Sequence, residues 1–244
     1  MSKAEHPVFA PKLIHAKPEA VGVMTFRFAS PAGFAFTPGQ FVMFHFEDDP
    51  KTWRAYSICS SPVKAAEHFE VTVGMVGAFS ERLGALKPGA APQGLVARGP
   101  FGKWVYDGSL NHAVLVSGGT GITPFRAMCA LKRDGGKAGF LTVCYSAKTP
   151  DDLIYRGEYA AWKEAGVVVH SRITRPQDSK TPWNGLTGRW TAAELHKIAD
   201  DTKAVYYLCG PNKMVQELRE GLQALGVPPE NVRTEKWGDY ADLI

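Results

Sequence analysis

The sequence predicts two unlike halves: an antiparallel β-barrel or sandwich, then an α/β domain on a parallel sheet. Three observations carry this. Short β-type runs broken by Gly and Pro fill the first hundred residues. Near-continuous apolar strands then alternate with helical segments, as in a sheet buried on both faces. The change of pattern falls at Asp107 to Asn111, which sets the halves at residues 1–108 and 109–244.

In the first half, Val21 to Phe28 alternates loosely, with Val23, Thr25 and Arg27 opposite Met24, Phe26 and Phe28. Gln40 to Phe46, Ala55 to Cys59, His68 to Val73 and Gly94 to Arg98 read as further strands. One short helix is predicted from Phe79 to Leu86 and ended by Lys87-Pro88-Gly89. In the second half, strands are predicted at Ala113 to Val116, Phe140 to Tyr145, Val167 to Ile173, Ala204 to Leu208 and Val232 to Glu235. Helices are predicted at Ile122 to Arg133, Asp151 to Glu164, Thr191 to Ala199 and Lys213 to Leu225. No internal repeat or low-complexity segment interrupts the pattern.

Bulk composition narrows the function classes. The chain has 244 residues, 45% hydrophobic and 21% charged, the balance of a soluble globular protein. No apolar run approaches the ~20 residues that span a bilayer. The segment Met1 to His6 lacks the apolar core of a signal peptide, so the cytoplasm is the expected compartment. The net charge of +4 is too mild to point to nucleic acid, though local patches could steer an acidic protein partner. Cys59, Cys129, Cys144 and Cys209 show no C-x-x-C spacing, so no disulfide, zinc site or iron–sulfur cluster is expected.

Two constellations carry chemistry. The first is Arg54-Ala55-Tyr56-Ser57. Tyr56 offers an aromatic face to a flat ring such as isoalloxazine, and Arg54, on the same strand face, can fork onto phosphate oxygens. Ser57 could place a hydroxyl near the ring's N5, but it points to the opposite side, so twist or a bulge must bring it round. About twenty residues on, Gly77-Ala78-Phe79-Ser80 precedes the short helix, whose free N–H groups suit a phosphate. Each piece alone is more often a surface Arg with a half-buried Tyr, or an ordinary helix cap. Their co-occurrence favours a flavin.

The second constellation is strand, glycine turn, helix. Val114 to Ser117 runs into Gly118-Gly119-Thr120-Gly121-Ile122-Thr123-Pro124. Such a turn aims helix N–H groups at a pyrophosphate, and Pro124 fits the first helical turn. It is not the G-x-G-x-x-G fingerprint. Cys209-Gly210-Pro211 repeats the logic at a later strand end, where ligands of open α/β sheets bind. Cys209 is either a neighbour of a nicotinamide ring or an ordinary buried thiol.

Taken in order, these blocks, with Gly99-Pro100-Phe101-Gly102, Met214 and Glu235-Lys236-Trp237, resemble the ferredoxin–NADP⁺ reductase superfamily over essentially the whole chain. The resemblance implies an N-terminal flavin-binding β-barrel and a C-terminal nucleotide-binding α/β domain. It implies that Arg54, Tyr56, Ser57 and Ser80 hold FAD, with FMN the rarer alternative. Gly119, Thr120 and Gly121, with Thr123 beside them, would line the pyrophosphate. Cys209 and Glu235 would flank the flavin–nicotinamide contact, and Trp237 matches the aromatic position after that Glu. Arg172 and Arg175 are candidate cations for a 2′-phosphate, which leaves NADPH and NADH both open. No C-x-x-x-x-C-x-x-C ferredoxin segment, cysteine-rich tail or preceding globin is present.

The expected activity is hydride transfer from NAD(P)H to flavin N5, followed by electron transfer to a separate acceptor such as ferredoxin, flavodoxin or an oxygenase component. Ser57, Cys209 and Glu235 are the expected catalytic residues. The alternatives are a reductase of free flavin, quinone or a haem protein, and a non-catalytic nucleotide-binding scaffold.

Overall fold

The computed structural model describes residues 6–90, 93–136 and 139–235. Seven strands form the first half: β1 (Val8–Phe9), β2 (Leu13–Ala20), β3 (Val23–Ala29), β4 (Phe41–Phe46), β5 (Asp49–Ser57), β6 (His68–Gly74) and β7 (Leu95–Phe101), with helix α1 (Ala78–Gly84) before β7. They make two antiparallel sheets, β1-β7-β4-β5 and β2-β3-β6, linked where Ile58 bridges to Val71. The barrel interior is filled by rings: Phe28 stacks on Phe69 with centroids 5.4 Å apart and meets Phe44 edge-on at 5.5 Å. Alternation along β3 delivers Phe26 and Phe28 to this core, as its pattern predicts.

The second half holds β8 (His112–Gly118), α2 (Thr123–Gly135), β9 (Phe140–Ala147), α3 (Tyr159–Glu164), β10 (Val167–Ile173), β11 (Leu186–Thr187), α4 (Ala192–Ala199), β12 (Val205–Cys209), α5 (Asn212–Ala224) and β13 (Val232–Glu235). The sheet is parallel throughout, in the order β11-β10-β9-β8-β12-β13. Strand β8 is buried on both faces. Ala113 and Leu115 join one core with Phe125 and Trp162, and Val114 and Val116 join the other with Leu208 and Leu218. The chain winds outward from β8 in one direction through β9 and in the other through β12. This reversal opens a crevice above the carboxyl ends of β8 and β12.

Three expectations change. The helix predicted from Asp151 to Glu164 is present only at Tyr159–Glu164, after isolated single turns at Pro150–Asp152 and Arg156–Glu158. Tyr155 breaks it: its φ is +61, and its buried hydroxyl donates to Thr72 Oγ1 of β6 at 2.5 Å. No bulge lies between Arg54 and Ser57, where β5 keeps a regular register with β4. Strands β1, β2 and β11 are additional to those predicted.

A polar network locks the halves together. Arg126 of α2 donates to Glu70 of β6 at 2.5 Å and to both carboxylate oxygens of Glu158 at 2.8 and 3.0 Å. Arg27 adds a second cation to Glu70 at 2.7 Å. Burial alone would raise the Glu70 carboxyl, but Arg126 and Arg27 outweigh it and hold the group below its ordinary value. Tyr207 of β12 closes the other side, donating to Val105 O at 2.8 Å.

Candidate functional site

Two cavities carry the expected motifs, one walled by the first half alone and one mainly by the second. The first, of about 500 Å³, is lined by Arg54, Tyr56, Gly77, Ala78, Phe79, Ser80 and Arg82. Strand β5 carries Arg54 and Tyr56, the turn after β6 supplies Gly77, and α1 supplies the rest. Tyr56 packs against Phe44 and Phe79, with centroids 5.8 and 6.2 Å away, which holds its ring at the barrel rim. Burial pushes its hydroxyl up to about 12, against the pull of Arg54, so the phenol keeps its proton. Ser80 behaves differently from its expected part as a phosphate donor. Its Oγ accepts from Val76 N and Gly77 N and donates to Gly77 O, tying the turn to itself. A Cβ on Gly77 would meet nothing within 4 Å, so the space above the turn is open. The first amides of α1 lack intrahelical acceptors, as at any helix start. An aromatic ring, a guanidinium and open helix-start amides facing one cavity fit a flavin with its phosphates.

The second cavity, of about 780 Å³, sits in the crevice above β8 and β12. Gly118, Gly119, Thr120, Pro211 and Met214 line its inner end, and Lys148, Thr174 and Arg175 line the ends of β9 and β10. The two glycine motifs found in the sequence are packed against each other here. A Cβ on Gly121 would lie 2.3 Å from Cys209 O and 2.8 Å from Gly210 Cα. One on Gly210, whose φ is +148, would lie 3.0 Å from Gly118 N. Only glycine permits this contact. Gly119, at φ +57, turns the chain out toward the cavity. Thr123 lies behind the turn, buried, with its hydroxyl donating to Thr120 O at 2.7 Å.

One close approach links the two linings. A Cβ on Gly74, which lines the first cavity, would sit 3.7 Å from Thr120 Cγ2, which lines the second. Beside them, neighbouring strand ends pair Cys209 with Glu235, and the Cys209 thiol donates to Glu235 Oε2 at 3.3 Å. Burial pushes the Glu235 carboxyl up to about 7, only partly opposed by that hydrogen bond. Glu235 therefore changes charge near neutral pH.

Other expected residues lie elsewhere. Ser57 ends β5, half-buried, and lines neither cavity. Ala55 packs on the outer sheet face against Phe41, Met43 and Phe101. Arg172 is not available to a 2′-phosphate: it is buried, forks onto Glu194 at 2.8 and 3.1 Å and donates to Arg189 O at 2.7 Å. Arg175 does face the cavity. Trp237 lies outside the described residues. Sequence reasoning missed Ile154 and Trp190 in the second cavity and the Arg126–Glu70 clamp between the halves, since none stands in a recognisable motif. Among the described residues, no cluster of His, Cys, Asp and Glu could hold a metal ion, and no helix is long and apolar enough to cross a membrane.

Comparison with known proteins finds two families in tandem. The oxidoreductase FAD-binding domain family matches residues 12–106, and the oxidoreductase NAD-binding domain family matches residues 115–220. A ferredoxin–NADP reductase B from Sorangium cellulosum is 32% identical, over 94% of this chain and 97% of its own. A glycine betaine monooxygenase reductase subunit from Chromohalobacter salexigens is 30% identical over 97% of this chain, which spans 65% of that longer relative. Two solved structures share the fold. The FAD/NAD-binding domain of a Vibrio cholerae nitric oxide dioxygenase superposes with TM-score 0.80 at 22% identity, covering 96% of this chain and 100% of that one. A Neisseria gonorrhoeae ferredoxin NADP⁺ reductase with bound FAD and NADP gives 0.75 at 20%, covering 96% and 99%.

Proposed function

Because the chain belongs to the ferredoxin–NADP⁺ reductase superfamily, we propose that residues 1–108 form its flavin half and residues 109–244 its nucleotide half, with the reacting rings meeting where the two cavities adjoin. The protein is a flavin-dependent NAD(P)H oxidoreductase. FAD held by the first half would supply the hydride-accepting and electron-passing chemistry, with electrons going on to a separate acceptor. The observation that supports the reading is the approach of Gly74, on the wall of the first cavity, to Thr120, on the wall of the second.

The residues divide the work. Arg54 and the amides of Ala78, Phe79 and Ser80, in the segment that opens at Gly77, hold the flavin phosphates. Tyr56 packs against the ring and Ala55 spaces it from Arg54, while Ser57, which lines neither cavity, is assigned to the N5 edge by the family resemblance alone. Gly119, Thr120 and Gly121 receive the dinucleotide pyrophosphate, with Thr123 bracing the turn and Gly210-Pro211 forming the opposite lip. Cys209 and Glu235 stand at the ring contact, where Glu235 holds or releases a proton near neutral pH, and Trp237 follows them in the chain. Arg175 and Lys148 offer the cations a 2′-phosphate requires, so NADPH and NADH are both candidate donors. The proposed acceptor is a ferredoxin, a flavodoxin or an oxygenase component, and the proposed setting is the cytoplasm.

Purification tests this directly. The protein should be yellow, release FAD on denaturation, and bleach anaerobically with NADPH or NADH. Whichever nucleotide bleaches it faster is the donor. Protein that stays colourless after incubation with FAD and FMN would refute the proposal.

A further inference from the structure

The second cavity is not built by the C-terminal half alone. Val21, in the turn between β2 and β3 of the barrel, and Val23, at the start of β3, reach it. Val21 is 72% exposed, an apolar side chain standing in water at the cavity wall. Across the cavity stand further apolar groups, Ile154, Trp190, Met214 and Leu218. The turn is held on both sides. Gly22, at φ +65, accepts from Met75 N at 2.8 Å, while Ala20 and Val23 pack against the core that contains Leu115 and Phe125. A surface loop free to drift would have neither anchor.

We propose that the β2–β3 turn is a barrel-borne wall of the dinucleotide site, and that Val21 makes an apolar contact with the bound dinucleotide. The inference rests on the function proposed above and extends it. Met75 follows Gly74 directly and precedes the flavin turn. A dinucleotide seated against Val21 is thus located relative to the flavin half, not only relative to the sheet that receives its pyrophosphate. Residues of both halves then set nucleotide affinity. Removing a valine side chain from water corresponds to roughly a tenfold gain in affinity.

The test uses Val21→Asp and Val21→Ala in the flavin-loaded protein, with NADP⁺ and NAD⁺ titrated by calorimetry and KM and kcat measured alongside. Substitution at so exposed a position leaves folding intact. Val21→Asp should raise Kd and KM about tenfold, and Val21→Ala about threefold. Flavin content, melting temperature and kcat at saturating nucleotide should match wild type. If wild type binds a nucleotide and both variants bind it within about twofold of wild type, the turn has no such role and the proposed function stands. Wild-type protein that binds neither nucleotide would overturn both.

Discussion

Replacing Gly121 with Ala isolates what the abutting turns do. The new Cβ would lie 2.3 Å from Cys209 O, 2.7 Å from Cys209 C and 2.8 Å from Gly210 Cα. Ordinary contact begins near 3.4 Å, so one turn must retreat by roughly 1 Å. All three neighbours are backbone, and no side-chain rotation relieves the clash. The φ of Gly121 is not in the left-handed region, so the effect is steric alone. Overpacking of this kind costs about 1–3 kcal/mol. Displacing a reacting centre by ~1 Å can lower the rate on the order of 10²-fold. The assay is anaerobic stopped-flow bleaching by NAD(P)H, with flavin content and thermal melting on the same sample. Flavin content should hold while bleaching slows by that order. Gly119→Ala is the contrast: its Cβ meets nothing within 4 Å, and its φ of +57 costs ~1–2 kcal/mol of conformational strain without pushing on Cys209. A Gly121→Ala protein that melts and bleaches like wild type would refute the argument.

Arg126→Met should lower stability by about 3 kcal/mol or more, read by denaturant unfolding, because it leaves Glu158 uncompensated and Glu70 with Arg27 alone. Since Glu70 is held below its ordinary value, its contribution is complete above pH 4.5 and lost as pH falls through the folded value. The acid unfolding of Arg126→Met should accordingly be less steep than that of wild type. For Glu235 the sign reverses. A folded value of about 7 means the folded protein keeps a proton that the unfolded chain gives up near 4.5, so stability falls between those values as pH rises. Glu235→Gln should flatten that window and melt higher than wild type at pH 8; an unchanged slope would show that Glu235 does not titrate there.

The two-part architecture was legible because each half has its own hydrophobic period. The five longer strands of the α/β half follow from apolar runs that the sheet buries on both faces. Strand β2 escaped notice because Pro18 lies within it. Proline is tolerated there since β2 is an edge strand, paired only to β3. The helix through Tyr155 was misread because a tertiary contact, the hydroxyl on Thr72, overrides local preference. The glycine turns were legible as motifs, but not their mutual contact, which joins residues about ninety apart. Arg172 shows the limit most plainly. It stands three residues before Arg175 at the end of one strand, and only the packing of Glu194 and Trp190 takes it out of reach.

The central claim is that a nicotinamide in the second cavity delivers hydride directly to a flavin in the first. Stopped-flow reduction with donor deuterated stereospecifically at nicotinamide C4 tests it most directly. Direct transfer gives a primary isotope effect on flavin bleaching for one C4 face and none for the other. Bleaching at the same rate with either deuterated donor, or no bleaching by any nicotinamide donor, would contradict it.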